Sequence, residues 1–96
     1  MSIYLTALVK CKPGTTAQMK GYLQQLVAAS TQEAACLQYE LYQSTEDETQ
    51  FIFHETWADQ PGLDLHNGQP HLQTFKQQIA DIIDGTVTVY KTDRAA

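Results

Sequence analysis

The 96-residue sequence predicts one α+β domain whose strands and helices follow the order βαββαβ, the ferredoxin-like arrangement. Three observations predict it: four short segments have the composition or alternation of strands, two longer segments repeat apolar residues at helical spacing, and turns or polar loops separate them. Because domains usually contain about 100–150 residues, residues 1–96 have room for a single domain. Right-handed crossovers would place the first strand between the third and the fourth.

The first strand and the first helix are predicted between residues 3 and 32. Residues 3–11 alternate between two faces, and the cleaner apolar face is expected to meet the helices. Lys12-Pro13-Gly14 predicts a turn, and the T-x-x-Q pattern from Thr15 to Gln18 predicts a capping box at the start of a helix over residues 16–32. The apolar stripe of this helix consists of Met19, Tyr22, Leu23, Leu26 and Val27.

The second and third strands are predicted at residues 36–44 and 50–57, where aromatic and β-branched residues are frequent. The polar, acidic segment 45–49 between them predicts the loop of an antiparallel hairpin. Alternation in the third strand divides its residues between two faces. One face carries Phe51, Phe53, Glu55 and Trp57, and the other carries Ile52, His54 and Thr56.

The second helical region is predicted to consist of two pieces. Asp59 can cap a short helix that Gly68 ends, and Pro70 suits the first turn of the main helix. Asp84-Gly85 is expected to stop that helix, with Gly85 as a left-handed cap, before a last strand at residues 86–92. The terminal residues 93–96 are expected to fray.

Composition and charge exclude several classes of partner. The formal net charge of −5 argues against nucleic acid and against a polybasic membrane contact, and no apolar run approaches the roughly 20 residues of a membrane span. The N-terminal residues lack the features of a signal peptide, which predicts a cytoplasmic protein. Cys11 and Cys36 lack C-x-x-C spacing, and we expect two free thiols.

Both faces of the predicted sheet carry bulky side chains, whereas the helices can cover only one face. Tyr4 and Leu8 lie opposite the cleaner face of the first strand, and one row of the hairpin joins them. A sheet that is apolar on both sides needs a second cover, and a second copy of the sheet related by two-fold symmetry supplies one. The sequence therefore predicts a homodimer through the sheet faces.

The segment from Phe53 to Phe75 contains all three histidines and the only tryptophan, where a strand ends and helices begin. Glu55 shares a strand face with Trp57, and a carboxylate hydrogen-bonded to His66 or His71 would prepare a general base. The alternatives are a structural bond of Glu55 to a backbone amide or to a partner subunit. His54 lies on the opposite face, where it is expected to be exposed or interfacial.

Neither a metal motif nor a nucleotide motif is present. The spacing His66-x4-His71 is not that of HExxH, although the Gly-Pro break could bring both rings together with Glu55 as a third ligand; we predict no metal site. Five aromatic residues could either wall a cavity for a flat aromatic ligand or simply fill the core. These residues are Tyr22, Tyr39, Phe53, Trp57 and Phe75.

Three patterns resemble the antibiotic biosynthesis monooxygenase (ABM) family, and its quinol-monooxygenase-like members most of all. They are C-L-x-Y-E-L at 36–41, F-x-x-x-E-x-W at 51–57 and D-x-H-N…P-H-L-x-x-F at 64–75. The resemblance implies a dimeric α+β barrel. It also implies oxygenation of phenolic or quinol substrates by dioxygen without metal, flavin or haem.

The resemblance also implies roles for residues. His66 or His71 would be the base, Glu55 its orienting carboxylate, Asn67 a hydrogen-bond donor and Trp57 a wall. The haem-degrading members resemble an arrangement with Asn on the first strand, which residues 5–8 (Leu-Thr-Ala-Leu) lack. A phosphorylated substrate, as in the isomerases of the family, is disfavoured because Lys76 is the only basic residue expected near the pocket. An isomerase or tautomerase, or a non-enzymatic dimeric small-molecule-binding module, are the alternative functions.

Overall fold

A computed structural model describes residues 1–96 and confirms the α+β, ferredoxin-like fold. Gly68 divides the second helical region in two, as predicted, so the chain has three helices. None of the three is long and apolar enough to cross a membrane. The elements are β1 (Ile3–Lys10), α1 (Thr16–Ser30), β2 (Cys36–Gln43), β3 (Gln50–Trp57), α2 (Gln60–Asn67), α3 (Pro70–Ile79) and β4 (Thr88–Thr92).

The four strands form one antiparallel sheet in the order β2-β3-β1-β4, which confirms the predicted central position of the first strand. The register pairs Leu5 with Glu55 on β3 and with Lys91 on β4. Because alternate residues share a face, this register places Glu55 and Lys91 on the same side of the sheet. That side is the one that the helices cover, and we call it the inner face; the opposite side is the outer face.

The hydrophobic core lies between the inner face and the helices. The apolar residues of β1 and β3 that were predicted to share a face are buried there, together with one side of α1. β4 differs from the other strands because all five of its residues are exposed and it pairs only with β1. The largest fully buried side chains of the core are Trp57, Phe51, Met19, Leu23, Val9 and Cys11.

One predicted helix cap and one predicted helix end are wrong. The capping box does not form, because the Thr15 hydroxyl donates to the carbonyl of Lys12 at 2.7 Å and closes the preceding turn instead. The third helix ends at Ile79 rather than at Asp84. Beyond it, the backbone N–H of Asp84 donates to the carbonyl of Lys10 at 2.7 Å, so this segment extends the edge of β1. Gly85 follows with φ +82°, the left-handed conformation expected of it.

The position of α2 depends on close contact at Gly62. A Cβ atom at this position would lie 2.2 Å from Cβ of Ala35, so only glycine lets the start of α2 approach the α1–β2 connection. Asp59 caps the helix as predicted, since its Oδ1 accepts a hydrogen bond from the Gly62 N–H at 2.8 Å. This contact brings the end of α2 and the connection at residues 31–35 to the same edge of the inner face.

Candidate active site

A cavity of about 490 Å³ lies between the inner face of the sheet and the helices α2 and α3. Ligand-binding clefts of enzymes commonly measure about 300–1,000 Å³ and combine apolar walls with a few polar groups. This cavity fits that description: its walls are mainly aliphatic and aromatic. Its polar lining residues are Tyr39, Glu55, Gln60, His66, Asn67, Lys76 and Lys91.

His66 and His71 share one carboxylate. Nδ1–H of His66 donates to Oε2 of Glu33 at 2.6 Å, and Nε2–H of His71 donates to the same oxygen at 2.9 Å. The side chains of Glu33 and His66 are 9% and 5% exposed, and that of His71 is 24% exposed. An ionised carboxylate only accepts hydrogen bonds, so it fixes the proton of neutral His66 on Nδ1 and leaves a lone pair on Nε2.

The expected bond between Glu55 and a histidine is not present. Glu55 is buried on the inner face and accepts a hydrogen bond from Nε1 of Trp57 at 2.9 Å. It therefore lines the cavity and does not lie at the outer face. Burial raises the pKa of Glu55, while the Trp57 hydrogen bond and the nearby His66 act in the opposite direction. The neutral carboxyl, which burial favours, is a hydrogen-bond donor.

Tyr39 adds a phenol to the same wall. Its side chain is buried, and its ring packs edge-on against His66 with ring centroids 5.8 Å apart. Burial is the main cause that raises the pKa of Tyr39 far above the ordinary range of a phenol, and the charge of Glu55 adds to it. The hydroxyl therefore stays protonated at neutral pH.

The nine residues predicted for the site do not all lie at one cavity. Six of them line the cavity: Tyr39, Phe53, Glu55, His66, Asn67 and Phe75. Trp57 does not line it, because it is fully buried behind His66 with ring centroids 4.4 Å apart. Tyr22 and His71 line a separate, smaller cavity of about 300 Å³.

The sequence patterns do not indicate Glu33 or Lys91 as residues of the site. Glu33 lies in the α1–β2 connection, 33 and 38 residues before the histidines that it contacts. One signal was available: it is the only acidic residue among the first 39. Lys91 reaches the cavity because β4 pairs with β1, and its Nζ donates to Oε1 of Gln60 at 2.6 Å. Lys76 is thus not the only basic residue near the pocket.

Glu33, His66 and His71 are also the residues that can hold a metal ion. One ligand atom from each lies within 4.8 Å of the others. Glu55, which the sequence offered as a possible third metal ligand beside the two histidines, is not a member of this group.

Comparisons with known proteins agree with the fold and with the patterns of the sequence. Residues 2–78 match the family model described as antibiotic biosynthesis monooxygenase. The chain is 29% identical over 91 residues to "Putative monooxygenase YcnE" of Bacillus subtilis strain 168. The matched residues cover 95% of this chain and 96% of the relative.

Solved structures superpose closely on the whole chain. The crystal structure of PA3566 from Pseudomonas aeruginosa has a TM-score of 0.92 and 30% identity, covering 99% of this chain and 95% of the other. A crystal structure described as an antibiotic biosynthesis monooxygenase has a TM-score of 0.91 and 26% identity, covering 98% and 99%. The family model and the solved structures therefore both match this chain over most of its length.

Proposed function

Because this chain belongs to the antibiotic biosynthesis monooxygenase family, we propose that it is a cofactor-independent monooxygenase that oxidises a small hydroxyaromatic or quinol with dioxygen. The observation that carries the proposal is the state of His66. Its Nδ1–H is bound to buried Glu33, and its ring lines a largely apolar cavity. An imidazole whose tautomer is fixed in this way has the arrangement of a general base.

His66, rather than His71, is the base in this proposal. Nε2 of His66 makes no hydrogen bond and is not among the buried unpaired atoms, so it remains accessible. His71 lines the smaller cavity and points Nε2 at Glu33. We therefore assign His71 and Glu33 as positioning residues that hold His66. Glu33, instead of Glu55, is the carboxylate that orients the base in this proposal.

Deprotonation is the step that makes the substrate reactive. Dioxygen has a triplet ground state and reacts slowly with closed-shell molecules, whereas an electron-rich phenolate can transfer one electron to it. Recombination of the resulting radical pair at a ring carbon forms a C–O bond, and loss of water from the hydroperoxide leaves a carbonyl. In balance, a hydroquinone and O2 give a hydroxyquinone and H2O, with all electrons supplied by the substrate.

The other polar groups of the cavity suit the anion that forms. The amide of Asn67 and the phenol of Tyr39 are donors that can stabilise a phenolate oxygen. Glu55, whose pKa burial raises, lines the same wall. Apolar walls such as Phe53 and Phe75 lower the local polarity, which strengthens these hydrogen bonds.

The proposal is tested by oxygen uptake with a panel of hydroquinones, using protein treated with a chelator and then dialysed. With ¹⁸O2 we expect one labelled atom in the organic product and one in water, measured by mass spectrometry. Heat-denatured protein supplies the background rate. If no member of the panel is consumed above that background, the chain is not an oxygenase of this class.

We also propose that the active form is a homodimer through the outer face of the sheet. Tyr4, Tyr42 and Tyr90 are 41–54% exposed, and their neighbours Leu8 and Ile52 are half-buried on the same face. A second copy would cover this surface. Light scattering should give twice the chain mass at micromolar concentration, and Leu8→Asp should give a monomer. Leu65→Asp, on an exposed position of α2, should leave the dimer unchanged.

The proposed compartment is the cytoplasm. Cys11 and Cys36 are both free thiols, a state that reducing compartments maintain. Fractionation of cells that produce the protein at its natural level tests this assignment.

A further inference from the structure

The cluster of Glu33, His66 and His71 has one unsatisfied atom. Oε2 of Glu33 accepts both imidazole hydrogen bonds, while Oε1 is buried and has no hydrogen-bond partner. A buried carboxylate oxygen without a partner is costly, because it has lost its hydration and gained nothing in return. A cation bound at the cluster would neutralise the charge of this carboxylate and so reduce the cost.

We propose that Glu33, His66 and His71 form a binding site for Zn²⁺. Two imidazole nitrogens and one carboxylate are ligands that zinc accepts, and three protein ligands leave a fourth position for water. Ca²⁺ and Mg²⁺ prefer sites made of oxygen atoms, so the two nitrogens select against them.

The geometry requires only small movements. The three ligand atoms lie within 4.8 Å of one another, and tetrahedral zinc with bonds of about 2.0–2.1 Å sets its ligands about 3.3 Å apart. The carboxylate oxygen must retreat slightly from the nitrogens, now 2.6 and 2.9 Å away, while the rings approach each other. His71 can move because it stands in the first turn of α3, and its partial exposure provides the path for the ion and the water ligand.

Zinc at this site would inhibit the enzyme, a consequence that rests on the proposed function. A metal on Nδ1 of His66 occupies the lone pair of that nitrogen, so the neutral ring carries its proton on Nε2. The nitrogen that would accept the substrate proton is then a donor. Because neutral His71 also shifts its proton between its two nitrogens, binding changes the tautomers and releases no net proton.

Direct titration tests the site without any substrate. Calorimetry with Zn²⁺ on chelator-treated protein should give one ion per chain, with no comparable heat from Mg²⁺. Glu33→Gln and His71→Asn should each weaken binding by at least about 10- to 100-fold, the loss that even outer-shell partners of a metal cause. His54→Asn and Glu40→Gln are the matched controls on the outer face, and both should bind like the wild type.

Co²⁺ provides a second readout, because a tetrahedral site gives it a visible absorption band that His71→Asn should abolish. Thermal melts of each variant show whether it is folded; His71, the most exposed of the three ligands, supplies a variant if Glu33→Gln does not fold. Binding that is absent, or that survives both ligand variants, overturns the site. Binding without inhibition of an active oxygenase overturns only the assigned effect on His66, and absence of oxygenase activity leaves the zinc titration to stand by itself.

Discussion

The two faces of the sheet carry similar residues in different environments. On the inner face, His66 is buried between Glu33, Tyr39 and Trp57. On the outer face, His54 lies opposite Glu40 across the β2–β3 pair, and its ring centroid is 5.4 Å from that of Tyr42. Both sites combine imidazole, carboxylate and aromatic rings.

The two faces differ in how far solvent reaches their polar side chains. On the outer face, His54 is exposed and makes no hydrogen bond with Glu40, which accepts instead from Gln38 at 2.6 Å and from Tyr42 at 3.3 Å. On the inner face, burial raises the pKa of Glu55 and of Tyr39. Residue types alone therefore do not make a site, because a buried hydrogen bond such as that between Glu33 and His66 holds both side chains in one orientation, whereas an exposed pair competes with water.

The largest expected difference between the faces is in turnover. His66→Asn should reduce oxygen uptake by about 100- to 10,000-fold, the usual contribution of a general base, with little change in melting temperature. His54 lies on the other face of the sheet from the cavity, so His54→Asn should leave the rate unchanged, provided that light scattering shows that the variant still forms the proposed dimer. Equal rates for the two variants would mean that both histidines are structural.

The next largest effect is expected on stability when the aromatic partner of each carboxylate is changed. Trp57→Phe removes the donor to buried Glu55 and leaves unfilled volume, so we expect a loss of about 2–4 kcal/mol in the free energy of unfolding. Tyr42→Phe removes the exposed donor to Glu40 and should cost less than about 0.5 kcal/mol. Urea denaturation measures both, and a similar loss in the two variants would contradict the contrast in burial.

A smaller loss of stability and of turnover is expected at Gly62, the glycine that lets α2 carry His66 close to Glu33. Gly62→Ala places a Cβ atom against Ala35, and this overpacking should cost about 1–3 kcal/mol and lower turnover by displacing α2 and His66. Gly21→Ala is the control inside α1, where a Cβ atom meets nothing within 4 Å; it should gain about 0.5–1 kcal/mol. If Gly62→Ala were as stable and as active as the wild type, the close approach at Ala35 would be unimportant.

The smallest expected effect is a dependence of stability on pH. Burial raises the folded-state pKa of Glu55 above that of the unfolded chain. Its contribution to the free energy of unfolding is therefore fully present at pH values below the ordinary carboxyl pKa, and it is lost as pH rises through the raised pKa. Glu55→Gln should remove that part of the decline in melting temperature. Glu40→Gln, on the exposed face, should retain it. A wild-type profile that shows no decline in stability as pH rises above the ordinary carboxyl range would argue against the raised pKa.

Most of the fold could be predicted because it depends on local patterns. The alternation of Phe51, Phe53, Glu55 and Trp57 identifies the inner face of β3, and the order of elements then determines the position of each strand. The capping box at Thr15 failed for a local reason as well. The same hydroxyl can close the turn at Lys12, and the sequence does not show which bond is the stronger.

The candidate site was only half predictable, because its polar contacts are long-range. His66 and Asn67 belong to the segment 53–75, in which the three histidines and the only tryptophan indicate a possible site. The contact of Glu33 with His66 exists because Gly62 lets α2 approach the α1–β2 connection, and no pattern within either segment records this approach. Proximity in sequence suggested Glu55 as the partner of the histidine, whereas Trp57, two residues away on the same strand face, is its actual partner.

β4 is an edge strand whose five residues are all exposed, and yet Val89 and Lys91 form part of the cavity wall. Because its side chains contribute little to the core, substitutions there change the shape and charge of the binding surface at low cost in folding free energy. Under the proposed function, substitutions at these positions would change which substrate binds without disturbing the Glu33–His66 pair. The proposed proton transfer and the recognition of the substrate would then depend on different elements of the fold.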